Sequence, residues 1–413
     1  MSSSFRSLMR VGWLGWLGVA HMAAILPAVA QEIAFVPQGD ISAEWASNRT
    51  LTVPAAPNSE LYRATAGGDL IRRTLVSDLD FRPLLTVQHD DKISSLDSFE
   101  ALVDLVGDYR TLRSESSIIA EYHRQDSYNS QYGISGFNPL NPNAPDTSGG
   151  EVVTGNTRSS YEVAPEFSYD LTQRVSLSGS ADLLAVRYTT EIPGQLVSYN
   201  GPQVDLALGW ALSPTTRVEF GPYYAYYNPV HDTEGAVQTT TWGAALDYVS
   251  KFSRVSQFKI TARVERDTEP AAFGAPSFSQ TNWGLEWVGS HKFLTSQIQY
   301  SIGKFLQPNS AGGRSELDQF RVQYNKLLTQ RWSVNAAVRV TRESNIGTVI
   351  LDNNNTRDRA NAQLAVTYLL TPEWFIGGGY RYARLKDTTA SEAANSNSII
   401  LSVGYRGLQP PRD

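Results

Sequence analysis

QVDLALGWALSPTTRVEFGPYYAY, residues 203–226, is the stretch whose reading decides the fold. Val204, Leu206, Leu208 and Trp210 alternate with Asp205, Ala207 and Gly209. After Leu212-Ser213-Pro214-Thr215 the alternation resumes with Val218, Phe220, Pro222, Tyr224 and Tyr226. A helix would return its apolar residues at i, i+3 and i+4, whereas a period of two describes a strand with two unlike faces. Ser, Pro and Thr at the joint suit a tight turn, so the stretch reads as a β-hairpin.

The same pattern continues in both directions. Trp242, Leu246 and Tyr248 alternate, as do Phe258, Ile260 and Val264, then Trp283, Leu285 and Trp287. Later runs include Trp332, Val334, Val338 and Val340, and finally Ile399, Leu401, Val403 and Tyr405. Six similar joints connect such runs, at 170–174, 211–215, 251–255, 292–296, 327–331 and 369–373. Longer polar segments separate the hairpins, at 125–156, 267–280, 307–314, 343–355 and 387–397. Earlier strands are expected at 41–49, 62–73, 78–89, 99–108, 114–124 and 157–170. That gives eighteen strands, or sixteen if the region before Asp97 holds one hairpin fewer. One face carries Trp, Tyr, Phe, Leu and Val and the other Gln, Asn, Arg, Asp and Glu, with aromatics toward strand ends. The expected fold is all-β: an antiparallel up-and-down transmembrane β-barrel, with short periplasmic turns and longer extracellular loops.

Composition agrees and excludes several classes. The chain has 413 residues, a formal charge of -6 and no cysteine. No thiolate metal site, disulfide framework, Cys nucleophile or lipidated Cys is available. Charge is not concentrated in either half, so a nucleic-acid partner gains no support. Twenty Tyr and nine Trp against three Met suit strands with aromatic girdles. Arg6 and Arg10, the apolar run 11–25 and Ala28-Val29-Ala30 read as a cleavable export signal. The expected organisation is a signal peptide at 1–30, a barrel domain at 31–405 and a periplasmic tail at 406–413. Outer-membrane lipid is the expected surrounding. Residues 31–39 leave no room for a plug domain before the first expected strand.

The alternate face supplies the candidate lumen. Earlier strands contribute Glu162, Glu166, Asp182, Asp205, Glu219 and Asp247, and later ones Lys259, Arg263, Arg321, Arg339 and Arg381. Opposed acidic and basic arcs would set up a transverse field on polar solutes. The plainer reading is that these charges pair along the wall and brace it. Gln203, Gln297, Gln299, Gln323, Asn335 and Gln363 add inward amides, and Tyr223 and Tyr227 inward rings.

No catalytic, metal or cofactor site is expected. His89, His123, His231 and His291 lack metal-ligand spacing, and no Gly-x-Ser-x-Gly elbow occurs. His231-Asp232 is the nearest approach to a dyad, and it reads as an exposed loop pair.

The joints at 211–218 and 368–374, with the closing strand at 399–405, resemble a beta-barrel porin family. Members of that family often resemble barrels associated with exopolysaccharide secretion. The resemblance therefore implies polysaccharide as cargo and periplasmic export proteins as partners. The residues themselves leave two alternatives open. One is a general diffusion porin with 125–156 as its constriction loop; the other is a non-conducting structural or adhesive barrel.

Overall fold

The computed structural model describes residues 32–127, 155–192, 196–231, 237–253, 256–269, 278–308, 314–346, 356–387 and 392–408. The first half of the sheet comprises β1 (Glu32–Ala46), β2 (Ser59–Arg73), β3 (Ser77–Asp90), β4 (Ser98–Arg110), β5 (Ser114–Asp126), β6 (Thr157–Asp170), β7 (Val175–Tyr188), β8 (Tyr199–Ser213) and β9 (Thr216–Pro229). The second comprises β10 (Thr239–Ser253), β11 (Ser256–Glu269), β12 (Phe278–Lys292), β13 (Ser296–Pro308), β14 (Arg314–Leu327), β15 (Trp332–Ile346), β16 (Thr356–Leu369), β17 (Trp374–Asp387) and β18 (Ala394–Arg406). Each strand pairs antiparallel with the next, and β1 closes the ring against both β2 and β18. The barrel therefore has eighteen strands and no free sheet edge. Closure satisfies the backbone within the wall, which a hydrocarbon surrounding demands.

Eight short connections lie at one end, with longer segments at the other. Several of the short turns share one device. The Thr74 hydroxyl accepts the N–H groups of Val76 and Ser77, at 3.3 and 2.9 Å. Thr111, Thr172, Thr329 and Thr371 do the same for the residues two and three positions on. A hydroxyl that satisfies two turn amides explains why Thr recurs at the joints. Thr74 and Thr111 extend the device to two turns outside the six expected joints.

Most outward residues are apolar. Leu206, Leu208, Trp210, Phe220, Trp242, Val264, Trp283 and Leu401 are among the exposed large side chains. An apolar surface running all round the ring is stable in lipid and not in water. Prolines inside strands also point outward. Pro222 shows the cost: the β8–β9 ladder has no pairs between Asp205↔Tyr223 and Leu208↔Phe220. Gly221 allows the close approach there, since a Cβ would stand 1.7 Å from the Leu206 carbonyl oxygen.

Two expectations at the ends need correction. The first strand begins at Glu32, not at 41, so 32–39 belongs to the wall. Pro37 disguises it in the sequence. However, β18 pairs with β1 only from Gln38 onward, so Pro37 interrupts no ladder on that side. At the other end the strand does not stop at Tyr405. The Arg406 N–H bonds the Glu373 carbonyl and the Gly407 N–H bonds the Pro37 carbonyl, at 2.7 and 2.8 Å. The signal segment, most of the 125–156 loop, Asp232 and Pro410-Pro411 lie outside the described residues.

Candidate functional site

Alternation along each strand aims every second side chain into the lumen. All eleven charged candidates sit on that inward parity: Glu162 and Glu166 on β6, Asp182 on β7, Asp205 on β8, Glu219 on β9, Asp247 on β10, Lys259 and Arg263 on β11, Arg321 on β14, Arg339 on β15 and Arg381 on β17. Their surroundings then divide them. Glu219 is paired with Arg217 at 2.5 Å, and Asp247 with Lys259 at 2.7 Å. Arg263 lies over the Tyr223 ring, 5.0 Å from its centroid. Arg381 pairs with Glu44. These charges brace the wall.

The others form two arcs. Asp104 on β4 stands directly opposite Glu121 on β5, and Glu121 opposite Glu162 on β6. Arg82 lies 2.8 Å from Asp69 and 3.9 Å from Asp104, and buried Arg158 on β6 is the cation acting on Glu121 and Glu162. Among the described residues Glu121, Glu162 and Asp182 have no ion-pair partner. On the far wall Arg321 stands directly opposite Arg339, and Arg321 has no ion-pair partner among the described residues. In the ring order β6 and β15 are half a turn apart. Like charges facing each other across neighbouring strands are destabilising unless water or a counter-charge screens them, and Arg158 supplies such a charge to Glu121 and Glu162. Asp104 and Glu121 are not among the expected lumen residues, because the early strands are harder to phase. Their own alternation carries the signal.

Amides continue the lining. Asn335 donates to Asn325, and Gln363 donates to Asn335 at 3.4 Å, making a ladder across β14, β15 and β16. Gln323 is buried, and Gln203 donates to Asp205 at 3.2 Å.

The long-loop end is narrowed by three inward clusters. In the first, segment 47–58 turns into the barrel. Asn48 and Leu51 adopt φ of 43° and 50°, and the Asn48 side chain accepts the N–H of Thr52 and Ala56. A left-handed Leu costs about 1–3 kcal/mol. It is offset by burial of Leu51 against Leu96, Ala383 and Ala394, since a buried Leu contributes roughly 1.5–3 kcal/mol. Arg49 anchors the turn, 3.2 Å from Glu44 and 3.1 Å from Asp90. Glu44 also meets Arg63 and Arg381, so one carboxylate holds three guanidinium groups from three elements. In the second, Tyr199 and Tyr227 lie 5.1 Å apart and close with Val186, Tyr188 and Leu196. In the third, Arg314 reaches from β14 to Asp267 on β11 at 2.8 Å and to Thr241 on β10. None of these is visible in the sequence, because each joins residues distant along the chain.

The neighbouring segment 91–97, which includes the short 3-10 turn Ser94–Leu96, carries Leu96 into the first cluster. Asp97 fixes it by accepting the Asp90 N–H at 2.9 Å, with His89 Nδ1 3.0 Å away. The Asp90 amide first, and His89 next, hold the Asp97 carboxyl below the usual carboxylate range. Its contribution is therefore present above that range and is lost as pH falls through the lowered value. Acidification should loosen the segment and raise conductance reversibly. Asp97→Asn should abolish that pH response, and an unchanged pH profile would count against the assignment.

His231 is exposed, and its Nδ1 lies 3.0 Å from Glu191 Oε2 on another loop.

No protein-family model matches the chain, and no curated protein matches it. Solved structures of similar shape include OccK5 (OpdH) of Pseudomonas aeruginosa, at 11% identity over 90% of this chain and 98% of that one, with a TM-score of 0.41. The BenF-like porin from Pseudomonas fluorescens Pf-5 aligns at 10% identity over 90% and 98%, with a TM-score of 0.45. OccAB3 of Acinetobacter baumannii aligns at 10% identity over 90% and 98%, with a TM-score of 0.41. At these identities and scores the likeness says nothing about cargo. Resemblance to a porin family holds at the level of a β-barrel, and its association with polysaccharide secretion gains no support.

Proposed function

We propose that this chain is an outer-membrane channel through which small polar solutes diffuse. The carrying observation is the lumen: its wall carries an acidic and a basic arc half a turn apart, under a mouth drawn in by packed loops. A barrel of 16–18 strands is wide enough for an aqueous channel. Its mouth clusters leave less room than the ring would otherwise give, which favours small solutes over a polymer. Opposed arcs orient dipolar molecules and favour neither ion strongly. The polysaccharide-export expectation gives way to the diffusion alternative.

Planar-bilayer recording of the refolded protein tests this. Steady conductance is expected, with small sugars entering loaded vesicles and long oligosaccharides excluded. Arg321→Glu with Arg339→Glu should shift the reversal potential toward cation selectivity, by removing the cationic wall. A barrel that never conducts would overturn the proposal in favour of the non-conducting reading.

A further inference from the structure

The short-turn end of the barrel carries an apolar collar that the channel does not use. Leu75 is 82% exposed, Leu112 102% and Leu294 100%. Each of the other short turns also presents a bare Leu or Phe. Leu171 follows the last residue of β6, and Leu212 and Phe252 are the penultimate residues of β8 and β10. Leu328 and Leu370 open the turns after β14 and β16.

Strand parity says where these side chains point. Leu171 continues the outward series of Phe167 and Tyr169, and Leu212 that of Leu208 and Trp210, all exposed. The collar thus lies on the outer wall, one outward position beyond the aromatic girdle in those strands. Trp332 with Tyr368, and Trp374 with Tyr405, form ring pairs of that girdle at 4.7 and 5.2 Å. Interfacial aromatics mark headgroup depth, so the collar reaches into the headgroup layer. Cations accompany it: Arg113 and Arg174 in the turns, and Lys326 on the outward parity of β14, make no ion pair among the described residues, whereas Lys251 and Lys292 fall on the inward parity of β10 and β12. Asp78, Glu115, Asp170 and Glu373 are exposed acids nearby, and Glu115 is already paired with Arg110 at 3.0 Å. A soluble partner would cover one sector of the ring, whereas annular lipid covers every turn alike.

We propose that this end of the barrel is seated in the headgroup layer of an anionic phospholipid leaflet, with the turn Leu and Phe side chains inserted and the Lys and Arg side chains on lipid phosphates. Apolar side chains flanked by cations are the chemistry of interfacial anchoring. The inference rests on the membrane-spanning reading, and conductance recorded in the same vesicles scores that reading separately.

The test uses the full chain in phosphatidylcholine vesicles with and without phosphatidylglycerol. The unfolding midpoint of the parent should rise with phosphatidylglycerol. Replacing Arg113, Arg174 and Lys326 by Gln should remove that rise. Because the chain has no cysteine, Leu112→Cys takes a single polarity-sensitive dye. Its emission should shift to the blue in vesicles and resist a soluble quencher. A parent indifferent to phosphatidylglycerol, a Gln variant that keeps the rise, or a dye that stays in water would each overturn the proposal.

Discussion

Glu44→Gln is expected to open the mouth and to destabilise the barrel together. The Glu44 side chain is 2% exposed and faces Arg49, Arg63 and Arg381. Removing its charge leaves buried guanidinium groups without their shared anion. Breaking a buried ion pair from one side costs about 3–5 kcal/mol. Arg49 keeps Asp90, which places the loss toward the lower end of that range. The same residues hold segment 47–58, so Leu51 should leave its seat on Ala383 and Ala394 more often. Single-channel conductance should rise and become noisier, while the urea midpoint in vesicles falls. An unchanged conductance at a lower midpoint would mean that the cluster supports the wall without narrowing the mouth.

Val338→Arg is the second large effect. Val338 is exposed on the outer wall near the middle of β15, and Arg339 beside it faces the lumen. Arg on the lipid face near the bilayer midplane costs about 2–4 kcal/mol, but on the lumen face it is hydrated. Equilibrium unfolding in phospholipid vesicles should show that loss for Val338→Arg and little change for Arg339→Gln. Equal effects from the two substitutions would contradict the assignment of faces. The contrast is severe because a shift of one residue along a strand exchanges its faces.

The same alternation explains how much of the fold is legible in the chain. From Gln203 to Tyr226, side chains one apart differ in polarity and side chains two apart agree, and that fixes strand, hairpin and lipid face locally. Thr172, Thr329 and Thr371 mark turns for an equally local reason, since a hydroxyl there reaches amides two and three positions on. Where Pro37 breaks the pattern, the start of β1 is hidden. The acidic and basic arcs are legible as parities, but not which of their members pair. Glu219 and Asp247 are neutralised by Arg217 and Lys259, while Glu121 and Glu162 face each other.

By itself, then, the sequence determined strand, turn and face, because each follows from neighbours a few positions apart. Only the tertiary structure decided the mouth. Glu44 meets Arg381 only because β1 closes the ring against β18, and Arg314 finds Asp267 across two intervening strands. Contacts of that kind depend on ring closure and on loops folding inward, and no local period encodes either.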